Sequence, residues 1–244
     1  MSGTVSHRSE AGHCATHGSF RRVLMRLPSG PVYIGRCSQC DADRRAEDAR
    51  RARVQRVGEL YIAATLPPRF EGKGFSEFIA STKLQRAAKA ACVDYAKHIA
   101  ERVENGTCLV LLGPPGIGKT HLLTALIASA VRDVVPARYL AAADFLALVG
   151  ANWAWNGAGD EAQALVRAPL LAIDELWAPS GERERDALFA LVDARYRARR
   201  ATLLASNLTW PALRDALGER LCDRLLEDGG CVLALDGASR RACK

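Results

Sequence analysis

One octapeptide limits the fold more than any other stretch: Gly113-Pro-Pro-Gly-Ile-Gly-Lys-Thr120. It follows an apolar run, Cys108 to Leu112, and leads into a helix-like stretch from His121 to Val131. A buried strand, a glycine-rich turn and a helix in that order form the phosphate-binding arrangement G-x-x-x-x-G-K-[ST]. The loop residues Gly113, Pro114, Pro115, Gly116, Ile117 and Gly118 bring backbone N–H groups close to phosphate oxygens, where larger side chains would intrude. Lys119 puts a point charge on the outer phosphates, and Thr120 offers its hydroxyl to Mg2+. His121 continues into the helix, whose N-terminal dipole favours an anion. Bound ATP with magnesium is the expectation.

Downstream, strand and helix patterns alternate. Strands are expected at Ala137 to Leu140, Leu170 to Ile173, Thr202 to Ala205 and Cys231 to Leu235. Helices are expected near Ala143 to Val149, Asp160 to Val166, Glu184 to Arg199 and Pro211 to Glu227. Alternation of this kind implies an α/β fold with a parallel sheet flanked by helices. Phosphate chemistry also needs an acid for the metal and one for the water. Leu170-Leu-Ala-Ile-Asp174-Glu175 supplies both, with Asp174 on magnesium and Glu175 as the catalytic residue for the attacking water. Asn207 ends the next apolar run and can hydrogen-bond the water or the γ-phosphate. Gly218-Glu-Arg220-Leu-Cys-Asp-Arg224 sets two arginines at i and i+4. One of them can reach a neighbouring subunit's γ-phosphate, which implies self-association through the ATPase domain.

These four motifs, in this order, resemble the AAA+ ATPase family over about Leu66 to the C-terminus. By that resemblance Gly113 to Thr120 is Walker A, Asp174-Glu175 Walker B and Asn207 sensor 1. Arg224 fits the trans-acting finger better than Arg220, since it directly precedes the turn into the last strand. After Leu235 nine residues remain, so the family's usual helical lid has no counterpart, and Arg240 or Arg241 is the local substitute for its sensor arginine.

The first forty residues are of another kind: rich in Gly, Ser, His and Cys and without helical periodicity. Cys14-Ala-Thr-His17 and Cys37-Ser-Gln-Cys40 make a C-x₂-H and a C-x₂-C pair. Two such pairs complete a tetrahedral Zn2+ site, and so small a segment needs one to hold together. His13 could replace His17, though its spacing to Cys14 is wrong for a knuckle. From Asp41 a basic, amphipathic helix follows, with Ala42, Ala46, Ala49, Val57, Leu60 and Ala64 on its stripe, and Pro67-Pro68 stop it. The apolar end of the stripe needs a cover, which is either a partner or the ATPase core. A connector covers residues 69 to 81, and a second helix runs from about Thr82 to Asn105-Gly106.

The whole layout resembles the DnaC-type replicative helicase loaders, which are related to IstB-like ATP-binding proteins. The resembling pieces are the two cysteine pairs, the charged helix, Leu66-Pro-Pro-Arg-Phe70 and Gly218 to Arg224. The resemblance implies an N-terminal module, residues 1–66, that grips the replicative DNA helicase. It also implies an ATPase domain, residues 67–244, that binds ATP and single-stranded DNA. An IstB-type transposition ATPase and an ATP-switched, zinc-containing DNA-binding regulator are the alternatives. The formal net charge of +7 suits a polyanionic partner. Trp153 and Trp155 could stack bases, and the run Arg195 to Arg200 could meet phosphates, or both could serve packing and solvation. No apolar run spans a bilayer and no signal peptide is evident, so a cytoplasmic protein with no membrane partner is expected.

Overall fold

The computed structural model describes residues 9–27, 30–150, 159–177 and 181–239. It divides into two compact units, Met1–Arg56 and Val57–Lys244.

The first unit carries an antiparallel sheet, β1 (Ser9–Cys14), β2 (Gly18–Leu27) and β3 (Gly30–Ile34), followed by helix α1 (Ser38–Ala63), in which the boundary between the units falls. No strand was expected here. The sheet is set by its hairpin rather than by an alternating apolar face: Cys14 pairs with Gly18, and Gly18 takes the positive φ of 77° that the tight Ala15–His17 turn demands.

The second unit holds a parallel sheet in the order β5-β6-β7-β4-β8. Its strands are β4 (Leu109–Leu112), β5 (Ala137–Ala141), β6 (Leu170–Leu176), β7 (Ala201–Ser206) and β8 (Cys231–Ala234). Alternate residues enter opposite faces, as a pleated strand requires. Leu109, Leu111, Leu203 and Ala205 join one buried cluster with α2 (Lys83–Lys97) and α4 (Lys119–Arg132). Val110, Leu112, Leu171 and Leu204 join another with α5 (Ala142–Gly150), α7 (Glu182–Arg197) and α9 (Glu219–Leu226). With both faces covered, near-continuous apolar strands are what burial dictates.

The end of α1 belongs to this core. Leu60 and Ala64 are buried in the first cluster, and Val57 and Tyr61 pack against it. The second unit is therefore the cover for the apolar end of the stripe, and the compact units divide at 56/57 rather than at 66/67.

Two expected helices are interrupted. The one after Thr82 splits into α2 and α3 (Ile99–Glu104) at His98, whose ring turns back to the Asp94 carbonyl. The one after Pro211 splits into α8 (Trp210–Leu217) and α9 at Gly218, with φ 85°. That glycine ends α8 in a conformation that costs other residues more. Helix α6 (Asp160–Arg167) lies between α5 and β6 in the chain. Among the described residues no helix is long and apolar enough to cross a membrane.

Candidate functional site

The site forms where β4, β6 and β7 end together, at the carboxyl edge of the sheet, the usual place for a ligand on an open α/β fold. Past Leu112 the loop turns through Gly113, Gly116 and Gly118, all with positive φ. A Cβ on Gly113 would collide with the Leu235 carbonyl oxygen, so the loop's first turn admits no side chain. Lys119 is buried, and its Nζ donates to Gly113 O at 2.6 Å, Pro114 O at 2.9 Å and Asn207 Oδ1 at 2.7 Å. The loop lysine and the residue ending β7 thus meet, as the strand order requires.

Asp174 and Glu175 occupy an irregularity of β6. The register with β7 shifts between Ile173 and Leu176, and Glu175 has φ 56°. A bulge of this kind re-aims side chains. Asp174 stays buried while Glu175 opens to the cleft. Asp174 Oδ1 accepts the Glu175 N–H at 2.8 Å, and Oδ2 accepts the Tyr139 hydroxyl at 2.8 Å. Burial first, and the Asp174 charge next, raise the Tyr139 phenol, so it stays a donor.

These residues line a cleft of about 570 Å³ that also takes in Pro67, Arg69, Phe70, Lys73, Thr120 and Trp177. The volume is in the range of small-ligand sites. The donor set fits ATP with magnesium: a loop closed to side chains, a buried lysine, and a hydroxyl and carboxylate on the same wall. His121 lies on this wall but is already engaged. Its Nε2 is 2.8 Å from Gly74 O, and its ring stands edge-on to Phe70 and Phe78, which pins the connector against α4.

The arginines sort differently from expectation. Arg195 is not a phosphate contact: it is fully buried, donating to the carbonyls of Leu165, Val166, Ala168 and Ala201 and to Thr202 Oγ1. Burial lowers its guanidinium, and the ring of acceptors holds the charge in place. Its position at i+7 from Leu188, with Leu191 and Val192 between, marks it as inward-facing, a signal the basic run obscured. Arg195→Met should cost about 3–5 kcal/mol in urea unfolding, because several buried carbonyls and the Thr202 hydroxyl lose a charged donor. On α9, Arg224 is half-buried, ion-paired to Asp193 and stacked 5.2 Å from the ring centres of both Phe189 and Tyr196. Arg220, one turn earlier, is exposed.

In the first unit, Cys14, His17, Cys37 and Cys40 bring their ligand atoms within 4.8 Å of one another. The separations are 3.4 Å for Cys14–Cys40, 3.3 Å for His17–Cys40, 3.7 Å for Cys37–His17 and 3.8 Å for Cys14–His17. Zinc with Zn–S and Zn–N bonds of ordinary length spans tetrahedral edges of roughly 3.5–3.8 Å. The cluster can therefore hold zinc. His17 offers Nδ1 to it, while Nε2 lies 3.0 Å from Asp43 Oδ2, a carboxylate that fixes the ring and its tautomer. His13 is exposed and outside the group. Backbone N–H groups of His17 and Thr16 draw the Cys14 thiol down to about 6, whereas sharing a proton with Cys14 pushes Cys40 up to about 12. Thiols this close cannot all ionise without a cation between them.

Trp153, Trp155, Arg240 and Arg241 lie outside the described residues. Sequence reasoning gave no role to Tyr139, Lys73 or Trp177. The available signals were a hydroxylated aromatic on the strand beside the acid, and a tryptophan two residues beyond Glu175.

The IstB-like ATP binding protein family matches residues 47–243. The chain is similar to the uncharacterized protein YdaV of Escherichia coli (strain K12), 27% identical over 194 residues that span 78% of this chain and 77% of that one. It is similar to the replicative helicase loader DnaC of Buchnera aphidicola subsp. Baizongia pistaciae (strain Bp), 29% identical over 126 residues. That match covers 50% of this chain and about half of the loader, 51% of its length. A crystal structure of the DnaC helicase loader superposes with a TM-score of 0.62 at 18% identity, covering 70% of this chain and 100% of that one. At such identity the likeness concerns the fold, a five-stranded parallel sheet of AAA+ type.

Proposed function

Because the chain belongs to the IstB-like ATP binding protein family, we propose that it is an AAA+ ATPase that loads a replicative DNA helicase onto single-stranded DNA. The observation that carries this choice is the Cys14–His17–Cys37–Cys40 cluster on its own small sheet, ahead of the nucleotide cleft. A metal-tied module that precedes a motor in the chain suits a protein that grips one macromolecule while ATP times its release. The similarity to a replicative helicase loader supports the same reading.

Within it the residues divide the work. The backbone of Gly113 to Gly118 and the Lys119 amine bind the phosphates, and Gly113 O, Pro114 O and Asn207 hold that amine in line beforehand. Thr120 and Asp174 would hold magnesium, which would supply positive charge against the phosphates. Glu175 orients and deprotonates the attacking water from the strained bulge. Asn207 hydrogen-bonds that water or the terminal phosphate once Lys119 turns to the nucleotide. Arg224, kept in one orientation by Asp193, Phe189 and Tyr196, acts on the nucleotide of a neighbouring copy, with exposed Arg220 beside it.

The test is co-purification with the replicative helicase, with and without ATP, for the full chain and for a chain lacking residues 1–56. The cut is made there because Val57, Leu60, Tyr61 and Ala64 belong to the ATPase core. Helicase should be retained by the full chain and lost from the shortened one, while nucleotide affinity stays within about twofold, less than 0.5 kcal/mol. Full helicase affinity in the shortened chain would remove the gripping role from the N-terminal unit. A second reading, a transposition helper, is supported by the similarity to insertion-sequence putative ATP-binding proteins. It predicts retention of a transposase in place of the helicase.

A further inference from the structure

The end of α1 reaches the acid pair through a single residue. β5 is an edge strand of the sheet, and at Tyr139 its open side is closed by the residues that end α1. The Tyr139 N–H donates to Ala64 O at 2.9 Å, and the Thr65 hydroxyl lies 2.8 Å from Tyr139 O and 2.8 Å from Ala64 O. Ala64 is fully buried. Thr65 has φ 54°, a left-handed conformation that a branched side chain resists, so the bonds around it must hold it there. The side chain of the same tyrosine donates to Asp174 Oδ2 at 2.8 Å. The other carboxylate oxygen is fixed by the Glu175 N–H.

We propose that Tyr139 is a positioning residue: its hydroxyl orients Asp174 for magnesium, and its backbone ties that orientation to the end of α1. This rests on the reading of Asp174 as the acid that holds magnesium. A carboxylate bonded by two donors keeps fixed lone pairs free for a cation, whereas one bonded by its neighbour alone can swing about its side-chain torsions. Outer hydrogen-bond partners of this sort commonly change metal affinity by about 10–100-fold. A tyrosine that merely filled space would be replaced by phenylalanine without consequence for the metal. The end of α1 is thereby linked to Asp174 through Tyr139. Strain or movement at Thr65 is then felt at Asp174 through one backbone and one side chain.

The test uses the full chain and a fluorescent ATP analogue, with nucleotide affinity measured in EDTA and then across a magnesium titration. Tyr139→Phe should keep the EDTA affinity and raise the half-saturating magnesium concentration by about 10–100-fold. Thr65→Gly, which removes the hydroxyl and tolerates the left-handed backbone, should shift it in the same direction by a smaller factor. Asp174→Asn is the reference and should abolish the magnesium response. If Asp174→Asn titrates like the unaltered chain, the reading of the site fails. If Asp174→Asn loses the magnesium response while Tyr139→Phe matches the unaltered chain, with or without a lowered melting temperature, the positioning role is overturned and the reading of the site stands. A Thr65→Gly curve unchanged beside a shifted Tyr139→Phe curve overturns the tie to α1.

Discussion

Glu175→Gln should leave ATP binding unchanged and reduce hydrolysis by about 10²–10⁴-fold, the usual range for removing a positioned general base. The substitution keeps the side chain's length, and a bound loop, lysine and magnesium pair would be unaltered by it. It removes only the capacity to take a proton. The backbone geometry sharpens the expectation. Glu175 sits at φ 56° on a bulge, so its side chain opens to the cleft while Asp174 beside it is buried and doubly hydrogen-bonded. Two adjacent carboxylates therefore have different surroundings and can take different tasks. Lys119→Ala should act on the earlier step and abolish binding, because the amine is the buried cation of the loop. Nucleotide affinity and single-turnover hydrolysis, measured on both variants, separate the two effects. Turnover in Glu175→Gln equal to that of the unaltered chain would mean that another group activates the water.

The ATPase core was legible in the sequence for a physical reason. Strands covered on both faces must be apolar along their whole length, and a loop that wraps phosphate must be glycine-rich, so β4, the loop and α4 announce themselves locally. The same holds for β6 and its acids. What was not legible depends on neighbours far along the chain. The bulge that separates Asp174 from Glu175 is a mismatch with β7, and no local pattern encodes it. Tyr139 gains its meaning only because β5 lies beside β6. Arg195 looked like one cation in a basic run, yet its place on the Leu188–Leu191–Val192 stripe put it inside, among carbonyls from α6 and β7. The strands of the first unit escaped notice because a metal knuckle can set a hairpin where apolar alternation is weak.

That last point leads to the other large effect. The first unit should bind one zinc per chain, and Cys37→Ser with Cys40→Ser should lose both the metal and the ordered sheet. A segment this short lacks the buried area to balance the entropy of ordering its backbone. Among its described side chains, Cys37 is the buried apolar one, and it is itself a member of the cluster. The cross-link among Cys14, His17, Cys37 and Cys40 joins the β1–β2 turn to the start of α1, so losing it frees both ends of the sheet. Asp43→Ala should be milder: the ligands remain, but His17 loses the carboxylate that fixes its ring, and zinc affinity should fall by about 10–100-fold. Metal analysis of the purified full chain, amide exchange across residues 9–34 and nucleotide affinity give three separate readouts. Zinc and amide protection should vanish together in the double variant while the nucleotide still binds, since the phosphate loop and its acids lie wholly in the second unit. Zinc retained at one per chain after both substitutions would mean that the metal is held elsewhere.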